Sequence, residues 1–282
     1  MRIIKDPKEM HKYSMTNKCR GKKIAFVPTM GCLHEGHLSL VEAAKKKAEI
    51  VIVSIFVNPI QFAPSEDFAS YPKSLRHDKK VLQHLGVNVL FLPDSKKMYP
   101  NGFSTKVEID GLSKKMCGRT RPNHFLGVTT VVTKLFNIVL PDFGFFGNKD
   151  FQQRIIIQQM CKDLDLSVEI IGQPIVREFD GLAMSSRNKH LNKSERGRAT
   201  ILYKSLCQAK ETIAQGEKDP RKILFQMRSL LGSVPSLRLD YAVIVDPETL
   251  EEAKKIKGKV LLAVAAHLGK ARLIDNLLIG AK

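Results

Sequence analysis

The run IVIVSIFV at residues 50–57 constrains the fold more than any other stretch of the chain. It is β-branched and apolar almost without a break, so a strand made from it has no face to show to water and must be covered on both sides. Shorter apolar runs lie before and after it, IAFVP at 24–28 and VNVLFL at 87–92. The intervals between the three read as helices. Residues 37–48 carry Val41, Ala44 and Ala48 at helical spacing, and residues 73–86 repeat at helical period and end in Gly86, a plausible C-terminal cap. Strand, helix, strand, helix, strand requires crossover connections, and hence a parallel sheet with helices on its faces. The alternation continues through a helix at 124–139, with Val128, Val131, Val132, Leu135, Phe136 and Val139 on one stripe, a strand at 142–146, a helix at 150–162 and a strand at 167–172. Beyond about residue 176 the order changes. Two helices over 194–231, around the turn at 216–220, precede strand-like segments at 237–245, 260–268 and 271–275. The expected fold class is α/β, a doubly wound parallel sheet over residues 1–175, followed by a smaller α+β C-terminal domain over residues 176–282.

With 282 residues, 43% hydrophobic and 26% charged, the chain has enough apolar sequence for one large or two medium domains. Its longest strongly apolar stretch falls far short of the roughly 20 residues that a membrane helix needs. The start, MRIIKDPKEM, has no apolar signal core. Cys19, Cys32, Cys117, Cys161 and Cys207 are scattered, odd in number and without a CxxC pair, which reads as reduced thiols and a cytoplasmic location. The net charge of +18 is shared by both halves of the chain and favours anionic ligands, nucleotides included. Much of it sits in runs such as Lys45, Lys46 and Lys47, where a solvated helix face is explanation enough. An RNA reader is the alternative that this charge invites. The absence of Trp, aromatics at 7% and the lack of an aromatic–basic stacking motif argue against it.

Chemistry concentrates in PTMGCLHEGH at 28–37, where the first strand passes into the first helix. Ligands of open parallel sheets bind at the carboxyl ends of the strands, and a helix N-terminus there offers amides and partial positive charge to a phosphate. Gly31 and Gly36 allow a sharp turn and close approach. His34 and His37, three residues apart, can face one side of the opening turn and stabilise charge on a triphosphate's bridging oxygen. A pair of loop-capping histidines and a metal site are the other readings, the latter without a clear third ligand nearby in sequence.

Further clusters follow other strand candidates. Gly147, Asn148, Lys149 and Asp150 open the helix at 150–162, with Gln153 a turn further on; Lys149 suits phosphate or ribose, and Asp150 suits Mg²⁺, a sugar hydroxyl or simply a helix cap. Gln61 follows the second strand as a neutral donor and acceptor. Met184, Ser185, Ser186 and Arg187 place two hydroxyls and a guanidinium in what reads as a flexible loop able to close over phosphates, although serines in loops often only form turns.

With these residues in place the chain resembles the pantothenate synthetase (pantoate–β-alanine ligase) family over nearly its whole length. The resemblance rests on PTMGCLHEGH at 28–37, FVNPIQF at 56–62, HFLGVTTVVTKLFN at 124–137, FGNKDFQQ at 146–153 and DGLAMSSRN at 180–188, in that order. HxGH alone is shared with other nucleotidyltransferases, so a different adenylyl-transferase is the runner-up. The resemblance implies a Rossmann-like N-terminal domain of the HxGH nucleotidyltransferase type and ATP-dependent joining of pantoate to β-alanine through a pantoyl adenylate, with AMP and pyrophosphate released. It implies His37 as general acid and His34 as a second phosphate ligand, both in an ATP-binding stretch of Met30, Gly31, Cys32, Leu33, His34, Glu35, Gly36 and His37. It also assigns ATP contacts to Gly147, Asn148, Lys149 and Asp150, and to Val176, Met184, Ser185, Ser186 and Arg187, and substrate contacts to Gln61 and Gln153. Mg²⁺ on the ATP phosphates, a homodimer, a C-terminal domain closing over ATP, and neither a specific nucleic acid nor a membrane as partner complete what it implies. Three positions depart from the family pattern: Asn148 where Glu is common, Leu126 where Arg is usual and Cys32 where Ala is usual.

Overall fold

Arg2–Ile4 form β1, and Pro7–Cys19 form α1, capped by Asp6, whose side chain accepts from the amides of Lys8 and Glu9. Neither stands out in the sequence: β1 is three residues long, and α1 is mostly polar. β2 (Ile24–Thr29), α2 (Glu35–Lys45), β3 (Ile50–Ile55), α3 (Leu75–His84) and β4 (Val89–Phe91) follow. Two short helices, α4 (Ser95–Met98) and α5 (Cys117–Thr120), precede α6 (His124–Val139), β5 (Phe143–Gly147), α7 (Phe151–Asp163) and β6 (Glu169–Gln173). The rest comprises α8 (Lys193–Arg198), α9 (Ile201–Ala214), α10 (Pro220–Gly232), β7 (Leu237–Val245), β8 (Lys259–Leu268) and β9 (Ala271–Gly280). Three helices thus occupy the region expected to hold two, because the chain breaks at Ala199 and Thr200, between α8 and α9. This computed structural model describes every residue except Ser65, Asp67, Ala281 and Lys282.

The chain forms two compact units, Met1–Lys114 with Arg121–Pro174, and Lys115–Thr120 with Ile175–Lys282. In the first, six parallel strands lie in the order β1-β4-β3-β2-β5-β6. β2 and β3 pair from Ile24↔Ile50 to Thr29↔Ile55. Ala25, Val27, Val51 and Val53 pack beneath Leu40, Val41 and Ala44 of α2 and Leu82 of α3. Phe26 points to the opposite face, where its ring meets that of Phe136 on α6 edge-on at 6.3 Å. Both faces are covered, as the unbroken apolar strand requires. β2, β3 and β4 step outward in one direction, whereas β5 lies on the other side of β2. The carboxyl ends of β2 and β5 therefore border the crevice where the winding reverses, the position at which such sheets bind ligands.

In the second unit β7, β8 and β9 form an antiparallel sheet. Val260, Leu262 and Val264 of β8 share a core with Leu202 and Leu206 of α9 and Ile223 and Met227 of α10. Residues 115–120 join this unit from the first half of the sequence: Lys115 Nζ donates to Thr249 O at 2.6 Å, and Thr120 Oγ1 donates to Asp240 at 3.2 Å. Among the described residues no helix is long and apolar enough to cross a membrane.

Candidate active site

The turn between β2 and α2 is held from below by a side chain that sequence patterns do not single out. Asp78, buried in the first turn of α3, accepts from the amides of Cys32 at 2.9 Å and Leu33 at 3.0 Å, and from Ser74 Oγ at 2.8 Å. Gly31 has φ +84°, and a Cβ there would come within 2.9 Å of Ile55 Cγ2. Cys32 follows at φ +52° with its side chain buried, as is that of Leu33. Several amides of this turn are thus consumed inside the protein, and the turn is not an open amide cradle. The expectation of unpaired amides is corrected to that extent.

His34 is the N-cap of α2. Its Nδ1 accepts from Gly36 N at 3.2 Å, and His37 Nδ1 accepts from His34 N at 3.3 Å, a reciprocal capping arrangement built from two imidazoles. A Cβ at Gly36 would come within 2.9 Å of His34 Cε1, so the small residue is what lets the ring fold back. The ring centroids are 4.1 Å apart. Because each Nδ1 accepts an amide hydrogen, the proton of a neutral ring resides on Nε2. Burial, aided by the charge of Lys149 from the end of β5, lowers the pKa of His37 to about 4, so it is neutral at pH 7.

Burial likewise lowers His124 to about 4, with Arg121 adding to the effect. For both rings the unfolded chain binds the proton more readily, so stability is complete above about pH 6.5 and is lost as pH falls toward 4. Each contributes on the order of 3 kcal/mol over that window. Urea midpoints measured from pH 7 to pH 4.5 should fall, and His37→Gln should reduce the slope; an unchanged slope would show that His37 is not buried as a neutral ring.

Gln61 ends a short 3₁₀ helix, Pro59–Gln61, beyond β3. Its Nε2 donates to Met30 Sδ at 3.2 Å, and its Oε1 accepts from Asn58 Nδ2 at 3.1 Å. Asn58 is fixed in turn by Tyr99 OH, donating at 2.7 Å, and by Gly127 O, accepting at 3.0 Å. Gly127 lies against this segment so closely that a Cβ would come within 2.5 Å of Gln61 Cα and Ile60 O. The structure thus brings the turn of β2 and the loop of β3 together at Met30 and Gln61. Local sequence patterns do not single out Asn58, Tyr99 and Gly127 as site residues; Asn58 and Gly127 lie inside segments that carry the family resemblance.

Asn148, Lys149 and Asp150 form a one-turn 3₁₀ helix leading into α7. On α7 the neighbouring glutamines divide: Gln152 is buried and donates to Leu112 O at 2.9 Å, whereas Gln153 is partly exposed. Asn148 packs over Gly172 of β6, where any Cβ would collide with it. Leu126 lies, partly buried, in the first turn of α6. Among the described residues, no group of three His, Cys, Asp or Glu side chains is placed to hold a metal ion.

Val176, Met184, Ser185, Ser186 and Arg187 belong to the second unit. The segment before the serines is a braced hairpin. Met184 N donates to Val176 O at 3.0 Å, Arg177 bridges to Ala183, and Arg196 clamps both Glu178 and Asp180 at 2.7 Å. Arg177 pairs with Asp275 and lies 3.8 Å from the centroid of the Tyr203 ring. Ser185 Oγ caps the 3₁₀ helix Ser186–His190 by accepting from Arg187 N at 3.2 Å.

An open parallel sheet whose switch-point helix is capped by an HxGH histidine pair defines a Rossmann-like protein of the HxGH type. Comparison with known proteins narrows this class. The pantoate-beta-alanine ligase family matches residues 2–278. The pantothenate synthetase of Thermosipho melanesiensis is 55% identical over 280 residues, covering 99% of this chain and all of the relative. That of Fervidobacterium nodosum is 53% identical, covering 99% of each chain. The crystal structure of pantothenate synthetase from Thermus thermophilus superposes with a TM-score of 0.94 at 42% identity, covering 98% of this chain and 99% of that one. The pantoate-beta-alanine ligase of Francisella tularensis, solved in complex with beta-gamma ATP and beta-alanine, has a TM-score of 0.82 at 35% identity over the full length of both chains. The chain belongs to the pantoate–β-alanine ligase family.

Proposed function

We propose that this chain joins pantoate to β-alanine at the expense of ATP, forming pantothenate through a pantoyl adenylate. The observation that carries the reading is the histidine pair at the switch point, each ring anchored through Nδ1 so that Nε2 bears the proton, with Lys149 beside it. A carboxylate oxygen of pantoate attacks the α-phosphorus of ATP and the bond to pyrophosphate breaks. The amine of β-alanine then attacks the acyl carbon, and AMP leaves. Adenylation is needed because a carboxylate by itself is a poor acyl donor.

In this scheme His34 and His37 donate Nε2–H to phosphate oxygens on which charge grows, and Lys149 adds a fixed positive charge. The family resemblance also makes His37 a general acid; because its Nδ1 accepts from His34 N, a cationic His37 would first give up that bond, and donation from a neutral Nε2–H is the role this geometry supports. Met30 to His37 form the phosphate-facing turn, in which Cys32 and Leu33 shape the backbone from the core side. Gln61 and Gln153 hold pantoate, Gln61 also lying near β-alanine. Gly147, Asn148 and Asp150 contact the nucleoside, and Val176 with Met184, Ser185, Ser186 and Arg187 of the C-terminal domain complete the ATP contacts as it closes. Mg²⁺ would enter on the ATP phosphates, with Asp150 as the available carboxylate, and would neutralise charge on the departing pyrophosphate. A homodimer in the cytoplasm belongs to the same proposal; the five cysteines, none of them in a disulfide among the described residues, suit a reducing compartment.

Pyrophosphate formation tests the reading. It should require ATP and pantoate but not β-alanine in the first turnover, and steady AMP release should require all three. AMP formed without pantoate would point instead to another adenylyl-transferase. Gln61→Ala should raise the KM for pantoate about tenfold or more while leaving that for ATP within about twofold.

A further inference from the structure

Gln61 is steered from behind by residues outside the reaction as described. The 3₁₀ helix that carries it is weakly self-supporting, its closing bond from Phe62 N to Pro59 O being long at 3.4 Å. What fixes its end is His124, the first residue of α6. His124 Nδ1 lies 2.9 Å from Gln61 O, and its Nε2 lies 3.0 Å from Arg121 Nη1. A guanidinium can only donate, so Nε2 must accept, and the ring proton sits on Nδ1, where it is donated to the Gln61 carbonyl. Arg121 is locked in turn by two bonds to Glu66, at 2.6 and 2.8 Å. Each member of this chain of contacts has one workable role, and reversing the imidazole would break both of its bonds.

We propose that His124 is a positioning residue for pantoate: its Nδ1–H, oriented by the Arg121–Glu66 pair, sets the peptide plane of Gln61 and thereby aims the Gln61 side chain. The inference rests on the reading of Gln61 as a pantoate ligand. The charged groups that act on His124 are Arg121, Glu66 and Asp150, and the ring stays neutral throughout the working pH range.

The test uses the two amides that mimic the two imidazole nitrogens. In the full-length protein, His124→Asn places an N–H near the position of Nδ1, whereas His124→Gln reaches the position of Nε2 instead. The KM for pantoate should rise about tenfold in His124→Gln and stay within about threefold of the parent in His124→Asn, with the KM for ATP within about twofold in both. Glu66→Gln, at the more exposed end of the chain of contacts, should raise the pantoate KM about threefold and provides a measurement should the histidine variants fold poorly. Equal effects of His124→Asn and His124→Gln, parallel losses for ATP and pantoate, or an unchanged pantoate KM in Glu66→Gln would overturn the positioning role. If Gln61→Ala itself leaves the pantoate KM unchanged, the reading of Gln61 fails first and the inference falls with it, an outcome distinguishable from a failure at His124 alone.

Discussion

His37→Ala should slow adenylation by about 10²–10³-fold, the usual cost of removing one donor aimed at charge that develops in the transition state. Two effects compete in this variant. The amide of His34 loses the Nδ1 that caps it at 3.3 Å, which costs about 1 kcal/mol of helix stability. The reacting phosphates lose an Nε2–H, about 3–4 kcal/mol of transition-state stabilisation by the same rate estimate. The second is larger, so the folded protein should survive and turnover should not. Single-turnover formation of pyrophosphate reads the rate and thermal unfolding reads the fold. His37→Gln, whose side-chain amide can extend an N–H toward the position of Nε2, should recover part of the rate. An adenylation rate within threefold of the parent in His37→Ala would remove His37 from the chemistry.

Asp78→Ala has the largest expected effect on stability. The buried carboxylate takes hydrogen bonds from two amides and one hydroxyl, and alanine leaves all three donors without it. At about 1–3 kcal/mol for each buried donor left unsatisfied, the loss should be roughly 4 kcal/mol, and the melting temperature should drop by roughly 10 °C. Asn should rescue little. Both carboxylate oxygens act as acceptors towards amides, and an Asn side chain must present NH₂ to one of them. The position in the first turn of α3 also favours a negative charge. Because Asp78 sets the turn that precedes His34, adenylation in Asp78→Asn should fall together with stability. A variant that melts within 2 °C of the parent would show that the turn is held by other contacts.

The parts legible in sequence are those in which residue type and neighbours act locally. The unbroken apolar strand at 50–57, the glycine-flanked histidines after β2 and the helical stripe at 124–139 each announce themselves within a dozen residues. Asp78 does not, because it lies in a polar helix segment and its partners are 45 and 46 residues earlier in the chain. Gly127 reads as an ordinary, slightly unfavourable helical glycine until the backbone of Gln61 is found against it. Tyr99 and Asn58 form a pair only across 41 residues. The family resemblance implies roles that no local pattern suggests, such as Val176 as an ATP contact. It did not reveal that the amides of Cys32 and Leu33 are turned inward, nor that the hairpin before Ser185 is clamped by Arg196. Those features depend on tertiary partners, for which a single sequence has no signal.

In the proposed reaction two anchored imidazoles and Lys149 hold a triphosphate for attack by a carboxylate, and the fate of oxygen reports that attack. With pantoate labelled with ¹⁸O in its carboxylate, in the presence of ATP and β-alanine, the AMP released should carry one ¹⁸O atom and the pyrophosphate none, because the acyl–oxygen bond breaks in the second step. AMP free of label, with pantothenate still formed, would mean that the carboxylate never bonds to the α-phosphorus and would exclude a pantoyl adenylate.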